Sequence, residues 1–305
     1  MSIRPDLHTS EGLATYVRGM QASMQEKAKF LPYVRPGRIL EVGCGNGTVL
    51  QLLAGAFPES ELVGVDFSAK LLGLAAAQEY NENRTAVTLH RADVFRLDPA
   101  DLGGEGTFDT VVFCSVLHEL YSVRLGSYSA PPQTTMTSAE LPSEAGRAAV
   151  ADVLRLSRRL LKPGGRVVIR DGVQPVRRRL RVAFRSDEVR EKFYRFADDF
   201  APFPLRFSVD AATDTVLIDS VHLYEFATKY FYDQNWAVEV REQFGWTTLD
   251  GLGDLLRETG FAPVEVTAYA IPFLREKWER DLDVRSIEGG PTALETTMIA
   301  AGEAV

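Results

Sequence analysis

Ile39-Leu40-Glu41-Val42-Gly43-Cys44-Gly45-Asn46-Gly47-Thr48-Val49-Leu50 decides how this 305-residue chain is read. An apolar run, three glycines at alternate positions and a second apolar run spell a buried strand, a tight turn and a helix start. Glycine has no Cβ to hold a ligand off, so backbone N–H groups of such a turn can approach a ligand closely. The helix that follows aims its positive end at the same spot, which suits a carboxylate or phosphate. Glu41 stands at the carboxyl end of the strand, the edge at which open α/β sheets bind ligands.

The glycine spacing departs from the dinucleotide fingerprint G-x-G-x-x-G, because position 48 is Thr and the glycines are Gly43, Gly45 and Gly47. With an acidic residue two places before Gly43, the stretch resembles the first motif of the class I S-adenosylmethionine-dependent methyltransferases. A glycine-rich turn in another α/β fold is the alternative.

Composition sets the outer bounds. With 45% hydrophobic and 25% charged residues, the chain is an ordinary globular one, long enough for one large domain or one domain with a sizeable insertion. A net charge of -8 weighs against bulk RNA or DNA binding and leaves a local basic patch open. Cys44 and Cys114 sit in apolar strand ends and read as buried thiols rather than a disulfide or a metal pair. The four histidines have no metal-binding spacing, so no metal is expected. No apolar run is long enough to span a bilayer, and the first residues lack a signal peptide's apolar core, so a cytoplasmic location is expected.

Working outward, 10–34 has helical spacing (Leu13, Tyr16, Val17, Met20), stopped by Pro36-Gly37. Tyr16, Arg18 and Lys27 lie where they can reach over the glycine turn, and a cation there would pair with a ligand carboxylate. A solvated lysine is the alternative. Helix 48–56 leads to strand 62–66, which ends in Asp66, followed by Phe67. Asp66 lies about 20 to 25 residues beyond Glu41, the separation at which a βαβ carboxylate meets a ribose diol. It could instead cap the next helix, but Ser68 is available for that. Strand 87–91 runs into Asp93 and Val94, where an Asx turn is the plain reading. Strand 108–115 is almost continuously apolar, as expected of a strand covered on both faces. His118 follows it and reads as a general base or a polar contact.

Segment 126–143 is poor in apolar residues and reads as a flap at the ligand edge. Helix 144–162 ends in Leu161-Lys162-Pro163-Gly164-Gly165, a turn that again resembles the methyltransferases, and strand 166–171 closes on Asp171. Asp171 either orients substrate or caps a loop. The resemblance covers 31–171 and 249–301, so 172–245 reads as an inserted, mainly helical cap and 1–171 with 246–305 as the core. The cap opens with Arg177, Arg178, Arg179, Arg181 and Arg185 and continues with many aromatic residues. The arginines read as a solvated face or an anion clamp, the aromatics as the cap's own core or a pocket wall. Segment 271–294 is expected to add to the cap or to a subunit contact, which leaves a homo-oligomer open.

The resemblance implies a doubly wound α/β fold, mostly parallel, with an antiparallel last strand. It implies S-adenosyl-L-methionine as cofactor. Glu41, Gly43, Gly45, Asn46 and Gly47 would surround the methionyl part, with Lys27 as a further contact. Asp66 and Phe67 would meet the ribose, Asp93 and Val94 the adenine, and Cys114 and Ser115 the amino group. Methyl transfer needs alignment of an acceptor with the S–CH₃ bond, and a hydroxyl or ammonium acceptor must also lose a proton. His118 is the first candidate base, His222 the second, with Asp171 and Tyr224 also in reach. A small-molecule acceptor is favoured. An RNA or protein methyltransferase and a catalytically silent cofactor-binding subunit are the alternatives, and Thr48 disfavours an NAD-linked dehydrogenase.

Overall fold

The computed structural model describes residue 14 and residues 23–82, 85–125, 143–289 and 292–305. Most of the helix expected over 10–34, with Tyr16 and Arg18, and all but the last residue of the flap expected over 126–143 lie outside the described residues. What is described of the former is a short helix α1 (Met24–Lys27) running into a 3₁₀ turn (Ala28–Tyr33).

The core alternates strand and helix: β1 (Arg38–Val42), α2 (Thr48–Ala56), β2 (Glu61–Asp66), α3 (Ala69–Ala76), β3 (Val87–Arg91), β4 (Phe108–Cys114), α4 (Leu117–Leu125), α5 (Glu144–Leu160) and β5 (Leu161–Gly172). After the cap come α9 (Leu249–Glu258), β9 (Phe261–Tyr269) and β11 (Thr297–Ala304). These strands form one seven-stranded sheet in the order β3-β2-β1-β4-β5-β11-β9. Its pairs are parallel except that β11 runs antiparallel to both β5 and β9. Ile39 and Leu40 of β1 and Val111, Val112 and Phe113 of β4 are fully buried, because helices cover both faces. Strand order reverses between β1 and β4, and a crevice opens at the carboxyl ends of strands at such a point.

Between β5 and α9 lie β6 (Arg179–Phe184), α6 (Asp187–Asp199), β7 (Phe207–Asp210), β8 (Thr215–Asp219), α7 (Ser220–Ala227) and α8 (Trp236–Glu239). The helices were expected here. The four-stranded antiparallel sheet β10-β6-β8-β7 was not. Strand β10 (Leu282–Ser286) follows α10 (Pro272–Asp281), so segment 271–294 joins the cap. The aromatic residues build a core of their own. Phe193 meets Phe226 edge to face at 5.1 Å, and Trp278, Leu282 and Leu294 belong to the same cluster. The arginines are spent on the cap surface: Arg181 pairs with Asp210 at 2.6 Å and Arg177 with Asp219 at 3.1 Å.

Buried polar contacts fix cap to core. The Tyr224 hydroxyl donates to the Thr296 carbonyl (2.7 Å) and accepts from the Val173 N–H (3.2 Å). Glu225, fully buried and paired with Lys229, accepts from the N–H groups of Gly245 (2.8 Å) and Phe244 (3.1 Å). The Gln243 N–H donates to Ser122 Oγ on α4 at 2.9 Å. These bonds hold the stretch with Glu242 and Phe244 over the sheet edge. Among the described residues no helix is long and apolar enough to cross a membrane.

Candidate active site

A cavity of about 1000 Å³ lies at the carboxyl edge of the sheet, with core residues below and cap residues above. Val42 and Gly43 mark the end of β1 in its wall. Gly43 has φ +75°, and a Cβ there would lie 2.6 Å from Val116 Cγ2. Four of the turn's amides, expected to stay open toward a ligand, are engaged within the protein. The N–H groups of Gly43 and Cys44 donate to the Val65 carbonyl (2.8 and 3.0 Å), that of Gly47 to the Cys44 carbonyl (2.9 Å), and that of Gly45 to Asp66 Oδ2 (2.9 Å). The turn therefore supplies room rather than donors. Gly45, Asn46, Gly47 and Glu41 are not among the residues that line the cavity. Asn46 Oδ1 accepts from the Thr48 hydroxyl instead (2.9 Å).

Asp66 lines the cavity, as does Phe67. Its Oδ1 accepts from the Ser68 N–H at 2.8 Å, while Ser68 Oγ caps α3 through the Leu71 N–H. Each carboxylate oxygen keeps acceptor capacity for a further partner. Burial raises the carboxyl above its usual range. Asp93 makes the plain Asx turn, Oδ1 accepting from the Phe95 N–H at 3.0 Å, and also faces the cavity with Val94. Phe95, with the Arg124 guanidinium 4.5 Å from its ring centroid, joins that end of the wall; an aromatic directly after Val94 was the overlooked signal.

Two buried cations flank the end of β4. Lys27 and Arg170 are 3% and 5% exposed, and both line the cavity. Burial, helped by the charge of Arg170, lowers the Lys27 ammonium below its usual value, against the pull of Cys114 and Glu41. Arg170 Nη1 donates to Ser115 Oγ (2.9 Å) and Nε to the Tyr269 hydroxyl (3.1 Å). Ser115 is held at φ +58°, its N–H donating to the Arg170 carbonyl at 2.7 Å. Arg170 escaped the sequence reading, although an arginine inside a strand buried on both faces is itself a sign of a special site. Cys44 and Cys114 are buried free thiols, as read.

His118 and Asp171 come together. Nδ1 of His118 lies 2.6 Å from Asp171 Oδ1, and Asp171 Oδ2 accepts from the N–H groups of Leu117 (2.7 Å) and His118 (3.2 Å) at the start of α4. Asp171 is thus both helix cap and histidine partner. On the other side Nε2 faces Glu242 Oε2 at 3.5 Å, and Phe244 packs edge-on against the ring at 4.6 Å. Burial opposes charge on His118, but Asp171 and Glu242 outweigh it and hold the imidazole well above its ordinary value. His118, Glu119 and Glu242 each bring a potential ligand atom within 4.8 Å of one another, a cluster invisible in the spacing of the histidines.

His222 is the correction. On α7 it faces the cap interior, where Nδ1 accepts from the Arg206 N–H at 2.9 Å and the ring packs on Phe203. Burial pushes it down to about 4, and it does not line the cavity. None of the cap's five opening arginines lines it either.

A doubly wound sheet with its cavity at the reversal of strand order, walled by a glycine turn and two strand-end aspartates, defines a Rossmann-like binding domain. Residues 40–167 match the family model of a methyltransferase domain. The chain is 31% identical over 155 residues to the probable methyltransferase ltbC of Aspergillus luteorubrus (49% of this chain, 45% of that one). It is 40% identical over 60 residues to a malonyl-[acyl-carrier protein] O-methyltransferase of Bacillus cereus (20% and 21%). The matched stretches span less than half the length of these curated relatives. Phosphoethanolamine N-methyltransferase 2 of Haemonchus contortus, solved with S-adenosyl-L-methionine, superposes with a TM-score of 0.51 at 14% identity, over 100% of this chain and 60% of that one. At that identity the likeness speaks for the fold alone.

Proposed function

We propose that the protein binds S-adenosyl-L-methionine at the core side of the cavity and transfers its methyl group to a small molecule held under the cap. The observation that carries this is the continuity of the cavity. It joins Gly43, Asp66 and Asp93 to cap residues such as Tyr224 and Glu242, so cofactor and acceptor would share one enclosed space. Asp66 would take the ribose hydroxyls, while Asp93, Val94 and Phe95 would hold the adenine. Lys27 and Arg170 would pair with the methionyl carboxylate, a charge-assisted contact strengthened by their burial. The carbonyl edge of Cys114 and Ser115 would meet the amino group. Glu41 stands one layer back, near Lys27.

The sulfonium needs little activation, so alignment of the acceptor is the main task, worth about 7–11 kcal/mol in favourable systems. An acceptor that must lose a proton would find Nε2 of His118, with Asp171 fixing the ring through Nδ1. His222 has no place in this scheme. Calorimetric titration tests the reading. S-adenosylhomocysteine should bind, Asp66→Ala should weaken it by tenfold or more, and NADH should not bind. Binding of NADH in preference to S-adenosylhomocysteine would overturn it.

A further inference from the structure

We propose that Tyr269 is the positioning residue of an anion clamp: its hydroxyl ties the backbone that carries Lys27 to the Arg170 guanidinium, so that both cations meet the cofactor's methionyl carboxylate together; this rests on the function proposed above. Three distant parts of the chain converge here. Arg170 lies inside β5, Tyr269 closes β9, and Lys27 ends α1. In the sheet β11 stands between β5 and β9, so the Tyr269 side chain reaches back across one strand to Arg170. Its hydroxyl accepts from Arg170 Nε at 3.1 Å and donates to the Glu26 carbonyl at 3.2 Å. That carbonyl belongs to the peptide group that joins Glu26 to Lys27. The bond therefore fixes the plane from which the Lys27 residue starts. The Lys29 ammonium lies 4.2 Å from the Tyr269 ring centroid and pairs with Glu26 at 2.6 Å, a second hold on the same turn of chain.

A phenol has one hydrogen to give. Burial raises the Tyr269 phenol above its ordinary value, against the pull of Arg170, so the hydroxyl keeps that hydrogen and serves both neighbours at once. From another strand end, Ser115 Oγ accepts from Arg170 Nη1 at 2.9 Å. A guanidinium is planar, so bonds to Ser115 and Tyr269 at two of its nitrogens set its orientation. Arg170 and Lys27 reach the same cavity wall at 5% and 3% exposure. Tyr269 does not line the cavity, so it acts through these two cations and not by touching a ligand. Long side chains already held in place lose less freedom when a carboxylate arrives, and pre-organisation of this kind adds affinity for that group alone.

Calorimetric titration of the full chain with S-adenosylhomocysteine and with its decarboxylated analogue tests the proposal. The wild-type protein should bind S-adenosylhomocysteine more tightly by about tenfold or more. Tyr269→Phe keeps the ring and loses both hydrogen bonds. It should weaken S-adenosylhomocysteine by about tenfold and leave the decarboxylated analogue within about twofold. Lys27→Met should cost about threefold less affinity in the Tyr269→Phe background than in the wild-type one, because the clamp is already loose there. Equal weakening of both ligands by Tyr269→Phe would make the tyrosine a general prop of the fold and overturn the proposal. So would an unchanged S-adenosylhomocysteine isotherm, a wild-type protein indifferent to the carboxylate, or additive losses in the double variant. Failure of S-adenosylhomocysteine to bind the wild-type protein at all would instead strike at the underlying methyltransferase reading.

Discussion

A methyl group added at Gly43 would press on Val116 Cγ2 at 2.6 Å and require a left-handed backbone of a residue that avoids it. Gly43→Ala is therefore expected to cost about 1–3 kcal/mol of stability and to abolish S-adenosylhomocysteine binding in a calorimeter; an unchanged isotherm would show that the turn does not shape the pocket. Glu41 tests the electrostatics behind that turn. Burial pushes its carboxyl up from the usual 4.5 to about 8. The stability tied to its neutral form is complete below pH 4.5 and is lost as pH rises through about 8, because the unfolded chain sheds the proton first. Glu41→Gln should flatten the fall in thermal midpoint of the cofactor-free protein over that window. Asp171→Asn should move the ascending limb of the pH–rate profile to lower pH, since the charge that raises His118 is gone, and lower kcat roughly 10²-fold. Sequence marked Asp66, Asp93, Cys114, Ser115 and His118 as residues at strand ends, and all face the cavity. Arg170 escaped notice because the apolar run around it masked the charge buried within β5.

Elements differed in how plainly they announced themselves. The strands β1, β2, β4 and β5 contain apolar runs closed by turn residues, and each carries its motif within a few residues of its end. The cap sheet is subtler. In β6 Leu180, Val182 and Phe184 point inward while Arg179, Arg181 and Ala183 do not, a period of two that marks a half-buried strand. The arginines drew attention as a charge run and hid the alternation. Helix α6 buries Val189, Phe193 and Phe196 at helical spacing, and Phe193 touches rings from three other elements. Phe193→Ala should destabilise the protein by about 3–5 kcal/mol in urea denaturation; a loss below about 1 kcal/mol would show that the cap core is looser than its packing implies.

Cap and core behave as one body to the extent that their buried polar contacts hold. Tyr224 bridges the Val173 N–H and the Thr296 carbonyl, and both would be left unsatisfied in Tyr224→Phe. That change should cost about 1–3 kcal/mol, read by chemical denaturation, and should weaken an acceptor more than the cofactor, because Asp66 and Asp93 lie on the core alone. Most of the core side of the cavity was legible in the residue order, since Gly43, Asp66, Asp93 and Cys114 each stand at or just past the end of a strand, and a strand's end is fixed locally. The cap side was not. Glu242 meets His118 only because Glu225 and Ser122 anchor the intervening loop, and His222, equally plausible on paper, turns away because its ring is needed by Arg206. Which side chains become neighbours across more than a hundred residues depends on packing between layers, and periodicity along one chain carries no record of it.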